Sequence, residues 1–276
     1  MGKIVAAVAM THNPRIYQAA EAAKPEDREY VYGNFGVLRQ KLEAARPDAL
    51  IVFANDHFDN FFLDNMPGFC IGVARQAEGP FWYEHEIQRI PRYRAPVHEA
   101  LAADVLRKGI EAGVDFAFAR EFRMDHAFCV PLSFVAPNQD LPIIPVYTNV
   151  WAYPLPTPHR YYEMGRVLRQ VVESRPGDER VAVLASLNLS TEVGGPKMGW
   201  RDLEFDQLAL DLMRRGDVDR ILNDVTIERM MQAGNSTPEY LNYVALLGFV
   251  GTLPPSFVEF KIVPGWGNCP AAAWDL

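Results

Sequence analysis

The stretch KIVAAVAM at residues 3–10, followed directly by THNP at 11–14, decides how the rest of the chain is read. After Lys3 it is an unbroken apolar run rather than an alternating one. That is the pattern of a strand buried on both faces, as in parallel sheets covered by helices. ALIVFAN at 49–55 repeats it. Between the two, REYVYGNFGVLRQKLEAAR at 28–46 carries Val37, Leu38, Leu42 and Ala45 at helical spacing and stops before Pro47, which does not continue a helix comfortably. Strand, helix and strand in that order make a βαβ unit.

The alternation continues outward. PVHEALAADVLRKGIEAG (96–113) reads as a helix, VDFAFA (114–119) and LPIIPVYTNV (141–150) as strands, and YPLPTP (153–158) as a loop. RYYEMGRVLRQVVESR (160–175) is an amphipathic helix and RVAVLAS (180–186) the next strand. Residues 202–250 read as consecutive helices, the last with Thr237 as N-cap and Pro238 at its first position. SFVEFKIVP (256–264) closes the chain as a strand, and neither repeats nor a linker interrupt it. The expectation is an α/β fold: a single domain over 1–276, a mainly parallel central sheet covered by helices, and a helical C-terminal third.

Composition narrows the function. Twenty-seven Lys and Arg against 35 Asp and Glu leave a net charge of −8, which disfavours nucleic acid and anionic membrane surfaces as partners. No run of 18 apolar residues exists to span a membrane, and the N-terminal run lacks a cleavage site. Cys70, Cys129 and Cys269 are few and widely spaced, as expected of reduced thiols in the cytoplasm.

In such sheets the functional crevice lies beyond the carboxyl ends of the strands. The first strand delivers His12 there, and the second delivers Asp56, His57 and Asp59 in NDHFDNFF. The loop RMDHAFCVPL delivers Asp125 and His126. A lone histidine after a strand is usually a hydrogen-bonding residue, but three in matching positions suggest a shared site. Two imidazoles and one carboxylate form the facial triad of non-haem Fe(II) sites. Spacing leaves the carboxylate open between Asp56, Asp59 and Glu239, the last near the start of an otherwise apolar helix.

Four segments in order resemble the class III extradiol ring-cleavage dioxygenases, the family of the catalytic β subunit of protocatechuate 4,5-dioxygenase. THNP is similar to its first iron-histidine motif, giving His12, and NDHFDNFF to its second, giving His57. MDHAFCVPL resembles its Asp-His-Gly…Pro-Leu motif, giving His126 as an acid–base or substrate-contacting residue. PEYLNYVALLG is similar to the helix of the iron-binding glutamate, giving Glu239, nine residues before Gly248. The resemblance spans roughly residues 3–250 and implies Fe(II) as cofactor, a small aromatic substrate and O2. It also leaves a homo-oligomer or a separate small lid subunit as candidate assemblies.

The departure falls on SLNLSTE at 186–192. The family usually carries a histidine base in this loop, where this chain has Thr191. A hydroxyl does not act as a base near neutral pH, though it can hydrogen-bond to O2 or substrate. Thr191 and His126 are therefore the expected catalytic pair, with Ser190, Asn149 and Tyr147 as substrate contacts. Trp151 is a further candidate ring contact, and Arg15 and Arg123 are candidate holders of a carboxylate. The function expected is Fe(II)-dependent opening of a catechol-like ring, carboxylated, methoxylated or amino-substituted. The alternatives are another metal-dependent reaction on an aromatic substrate, or a non-catalytic partner subunit.

Overall fold

The computed structural model describes residues 1–276. In chain order the elements are β1 (Lys3–Met10), α1 (Arg15–Gln18), α2 (Pro25–Ala45), β2 (Ala49–Asn55), β3 (Phe69–Gly72), β4 (Gln76–Gly79) and α3 (Trp82–Glu86). There follow β5 (Tyr93–Pro96), α4 (Glu99–Glu111), β6 (Phe116–Ala119), α5 (His126–Val135), β7 (Ile143–Thr148), α6 (Pro158–Glu173) and β8 (Arg180–Ser186). The last third holds α7 (Leu203–Arg215), α8 (Val218–Asp224), α9 (Ile227–Ala233), α10 (Leu241–Val250), β9 (Phe257–Val263) and β10 (Gly267–Asp275).

Eight strands form one sheet in the order β6-β3-β7-β2-β8-β1-β10-β9, and β4 and β5 form a separate hairpin ribbon. The middle four strands, β7, β2, β8 and β1, run parallel. They are buried nearly end to end, which is why their sequences are continuous apolar runs. The flanks are antiparallel: β3 against β7, β10 against β1, and β9 against β10.

β10 is absent from the sequence expectation, which ends the chain's regular structure at 264. Its run GNCPAAAWD contains Gly, Pro and Asn, residues that depress strand propensity. It becomes a strand because pairing between β1 and β9 satisfies its backbone and buries Ala271, Ala272 and Ala273.

Two boundaries also differ near the crevice. RMDHAFCVPL is not a free loop: His126 opens α5, with Asp125 as N-cap accepting from the Ala127 N–H at 2.9 Å. Nor is Thr237 an N-cap. Thr237–Tyr240 form a 3₁₀ turn ahead of α10, and the Thr237 hydroxyl instead accepts from the Thr191 N–H at 3.2 Å.

Helix α10 is buried at all ten positions. It packs against α6 at a closeness only glycine permits. A Cβ on Gly165 would overlap the Ala245 carbonyl, and one on Gly248 would lie 2.5 Å from the Gly165 carbonyl carbon. This contact holds the end of the 3₁₀ turn, and with it Glu239, over the carboxyl ends of β2 and β8. No helix is long and apolar enough to cross a membrane.

Candidate active site

Because β8 lies between β2 and β1, the residues that follow these three strands converge. His12 follows β1, His57 follows β2, and the loop with Asn188 and Thr191 follows β8. Glu239 enters from the 3₁₀ turn. Its carboxylate oxygens lie 3.2 Å from His12 Nε2 and 3.2 Å from His57 Nε2. The His126 ring lies 4.0 Å from that of His57, centroid to centroid, tilted by 31°, and one ring nitrogen from each of His12, His57 and His126 lies within 4.8 Å of the others.

The other ring nitrogen of each histidine is already committed. Ser186 Oγ donates to the Ala127 carbonyl at 2.6 Å, so at 2.8 Å it accepts from His12 Nδ1–H. Asp125 Oδ2 accepts from His57 Nδ1–H at 2.9 Å and from the His57 backbone N–H at 3.0 Å. Glu84 Oε1 accepts from His126 Nδ1–H at 2.6 Å and from the His126 backbone N–H at 2.9 Å. All three imidazoles therefore turn Nε2 toward the crevice, where Asn188 Nδ2 lies 3.3 Å from that of His12 and Asn55 Nδ2 lies 3.3 Å from that of His57. Outer carboxylates and hydroxyls that fix tautomers in this way are typical of metal-ligating histidines.

The donor set fits a metal ion. Two donors about 2.1 Å from one ion at angles of roughly 90–110° lie about 3.0–3.4 Å apart, and the His–Glu separations fall inside that range. Electrostatics agree. Burial alone would raise the Glu239 carboxyl, yet the His12 and His57 rings outweigh it and hold Glu239 well below the usual carboxylate range. Burial pushes His12 down despite Glu239. At His57 burial is outweighed by Asp125 and Glu239, which raise it.

Thr191 lines the crevice, and its hydrogen-bonding sense is fixed. Asn268 Oδ1 accepts from the Leu189 N–H at 3.2 Å, which assigns its other amide atom as nitrogen. That nitrogen spends its two hydrogens on the Ser190 carbonyl at 2.7 Å and on Thr191 Oγ1 at 2.8 Å. Thr191 is thus an acceptor toward Asn268, and its own O–H is free to donate into the crevice.

The crevice has a volume of about 650 Å³, and Arg15, Trp151, Arg201 and Trp266 also line it. Asn188 belongs to its floor: Nδ2 donates to Glu239 Oε2 at 2.7 Å, and Oδ1 accepts from Thr11 Oγ1 at 2.7 Å.

Three expected substrate contacts lie elsewhere. Tyr147 is buried between Phe61, Phe122 and Phe128, because alternation along β7 turns it to the α5 face. Asn149 closes a turn, accepting from the Trp151 and Ala152 N–H groups at 3.2 and 2.9 Å, and so presents Trp151 to the crevice in its place. Ser190 anchors its loop from beneath, its N–H donating to Asp206 at 2.7 Å and its Oγ accepting from the Asp202 N–H at 3.0 Å. Arg123 also points away, its Nη1 donating to the Pro80 carbonyl at 3.4 Å. Glu84, Arg201 and Asn268 carry no local signal that sequence reasoning could have used, since each acquires its role from partners distant along the chain.

Comparison with known proteins agrees with this geometry. Residues 6–268 match the family described as the catalytic LigB subunit of aromatic ring-opening dioxygenase. The chain is 36% identical over 177 residues to a 2,3-dihydroxyphenylpropionate/2,3-dihydroxicinnamic acid 1,2-dioxygenase of Photorhabdus laumondii, covering 63% of this chain and 53% of that one. It is 30% identical over 194 residues to the protein of that name from Escherichia coli K12, covering 70% and 58% respectively. The chain thus spans about half the length of the curated relatives it matches. In fold it is similar to the crystal structure of the uncharacterized protein JW3007 from Escherichia coli K12, with a TM-score of 0.57 at 17% identity over 98% of this chain and 99% of that one. Taken with its histidine and glutamate crevice at the carboxyl ends of β1, β2 and β8, the chain belongs to the family of catalytic LigB subunits of aromatic ring-opening dioxygenases.

Proposed function

We propose that this protein is a non-haem Fe(II) dioxygenase that opens a catechol-type ring with O2, using His12, His57 and Glu239 to hold the metal. The observation that carries this reading is the pair of Nε2 atoms, each 3.2 Å from the same buried carboxylate, that of Glu239. Bound Fe(II) would supply adjacent positions for the diol and O2. The chain does the rest. His126 Nε2, kept bare by Glu84, accepts a proton from a substrate hydroxyl and returns it later. The Thr191 O–H donates a hydrogen bond to a substrate or oxygen atom on the β8 side. Trp151, whose ring lies 5.7 Å from that of His57, flanks the aromatic ring and narrows access for water. Proton acceptance is thereby concentrated on His126, which compensates for the loop histidine this chain lacks. The three unpaired buried cysteines support action in the reducing cytoplasm.

The test is anaerobic Fe(II) loading followed by a panel of catechols, gallates and aminophenols, with O2 uptake and the yellow ring-fission chromophore as readouts. Absence of O2 uptake with every member sinks the reading. One observation favours a second reading. The His126 nitrogen lies close enough to complete a three-histidine set, a ligand set of water-activating zinc. Metal-dependent turnover that needs no O2 and is lost in His126→Ala together with the bound metal would select it.

A further inference from the structure

Six buried side-chain polar atoms lack a hydrogen-bond partner, and two of them belong to residues lining the crevice: Arg201 Nε and Trp151 Nε1. Both are donors. Arg201 forms no ion pair, and its one hydrogen bond runs from Nη1 to the neighbouring Trp200 carbonyl at 2.9 Å. The guanidinium is laid across the start of β10, where Gly267, at φ +117°, has no side chain. A Cβ there would meet Arg201 Nη2 at 2.7 Å and Asn13 Nδ2 at 2.9 Å. Arg201 is therefore held in the crevice beside the residue that follows His12.

The acids of the crevice are spoken for. Glu239 is bound to the two histidines, and Glu192 Oε2 accepts from the Asn235 N–H at 2.8 Å. The other lining arginine, Arg15, is exposed and donates through Nε to the Gly265 carbonyl. Asp206 is the acid that acts on Arg201, but it lies outside the crevice lining and its Oδ1 accepts from the Ser190 N–H at 2.7 Å. Arg201 is left as a half-buried cation without an ion pair; Nε is closed off from the crevice, and Nη2 carries no hydrogen bond. The crevice, at about 650 Å³, is also larger than one ring needs and leaves room for a substituent.

We propose that Arg201 is the specificity-determining residue of the crevice, its guanidinium fork taking the carboxylate of a side arm on the aromatic substrate. A planar carboxylate matches the charge and the Nη1–Nη2 edge of the guanidinium, which a neutral substituent does not. The assignment rests on the ring-opening reading for the identity of the substrate, but its test does not require turnover.

The test measures equilibrium binding of 3-phenylpropionate and its neutral amide under anaerobic conditions, to the protein both as purified and after Fe(II) addition. The native protein is expected to prefer the carboxylate by about 10- to 100-fold, the usual reach of a charge-assisted hydrogen bond. Arg201→Met abolishes the preference, and Arg201→Lys keeps part of it because the charge remains without the fork. Gly267→Ala, which displaces the guanidinium without removing it, reduces it too. Equal binding of the two ligands by the native protein, no binding of the carboxylate at millimolar concentration, or a preference that survives Arg201→Met overturns the proposal. Ring opening of neutral catechols without this preference leaves the proposed function standing and removes the role of Arg201. The preference without any O2 uptake does the reverse.

Discussion

At the scale of single residues, the crevice is defined by which atom of each side chain is left uncommitted. His12 and His57 expose Nε2 because Ser186 and Asp125 occupy Nδ1. Glu239→Gln is expected to reduce bound metal from one ion per chain to a trace, read by elemental analysis after desalting. Asp125→Asn leaves the ligands in place but weakens orientation of His57, so metal affinity falls by about 10- to 100-fold in a competition titration. The role proposed for Thr191 is donation, since its Oγ1 already accepts from Asn268. Thr191→Val is therefore expected to lower kcat by roughly tenfold, a loss of about 1.4 kcal/mol, while Thr191→Ser restores most of it. Equal activity of Val and Ser variants refutes the donor role. Asp206 supplies a pH signal beneath the same loop. Burial raises its carboxyl from 3.8 to about 6. Between these values the folded state binds more protons than the unfolded, so Asp206 costs stability progressively as pH rises from about 4 to about 6 and holds that cost above. The melting temperature of Asp206→Asn relative to the native protein should accordingly climb over that interval, and a flat difference contradicts the assignment.

At the scale of elements, two glycine-bearing helices behave oppositely. Gly165 on α6 faces the α10 backbone at contact, so Gly165→Ala should push α10 outward, lowering both melting temperature and metal retention, since the turn that opens α10 carries Glu239. Gly33 in α2 meets nothing within 4 Å, so Gly33→Ala should stabilise by about 0.5–1 kcal/mol in chemical denaturation. Most elements were legible because hydrophobic period is a local property. The parallel core strands and α2, α4 and α6 follow from their runs and spacings. β10 was not legible, because GNCPAAAWD becomes a strand only through neighbours on both sides. Nor was α5, whose capping residue Asp125 is also the partner of a histidine 68 positions earlier.

For the whole molecule, the proposed ligands come from β1, β2 and the turn before α10, so a bound ion ties together parts of the sheet and a helix far apart in sequence. Metal should stabilise only the folded state, by about 2.7 kcal/mol at a free concentration 100 times its Kd. Thermal melts with and without chelator check this, and His12→Ala should be insensitive to both. The sequence by itself determined the α/β layering and the segments that meet at one end of the sheet, because burial and periodicity are written over runs of a few residues. It also placed His12, His57 and His126 in loops that could meet there and offered Glu239 as one of three candidate carboxylates, which the family resemblance then favoured. Only the tertiary structure decided that Trp151 rather than Tyr147 or Asn149 faces the crevice, that Thr191 accepts from Asn268 and keeps its O–H free, and that Arg201 forms no ion pair. Those outcomes depend on partners such as Asn268 and Gly267, 77 positions from Thr191 in the first case, and no local pattern records which of two faces or two hydrogen-bonding senses such partners select.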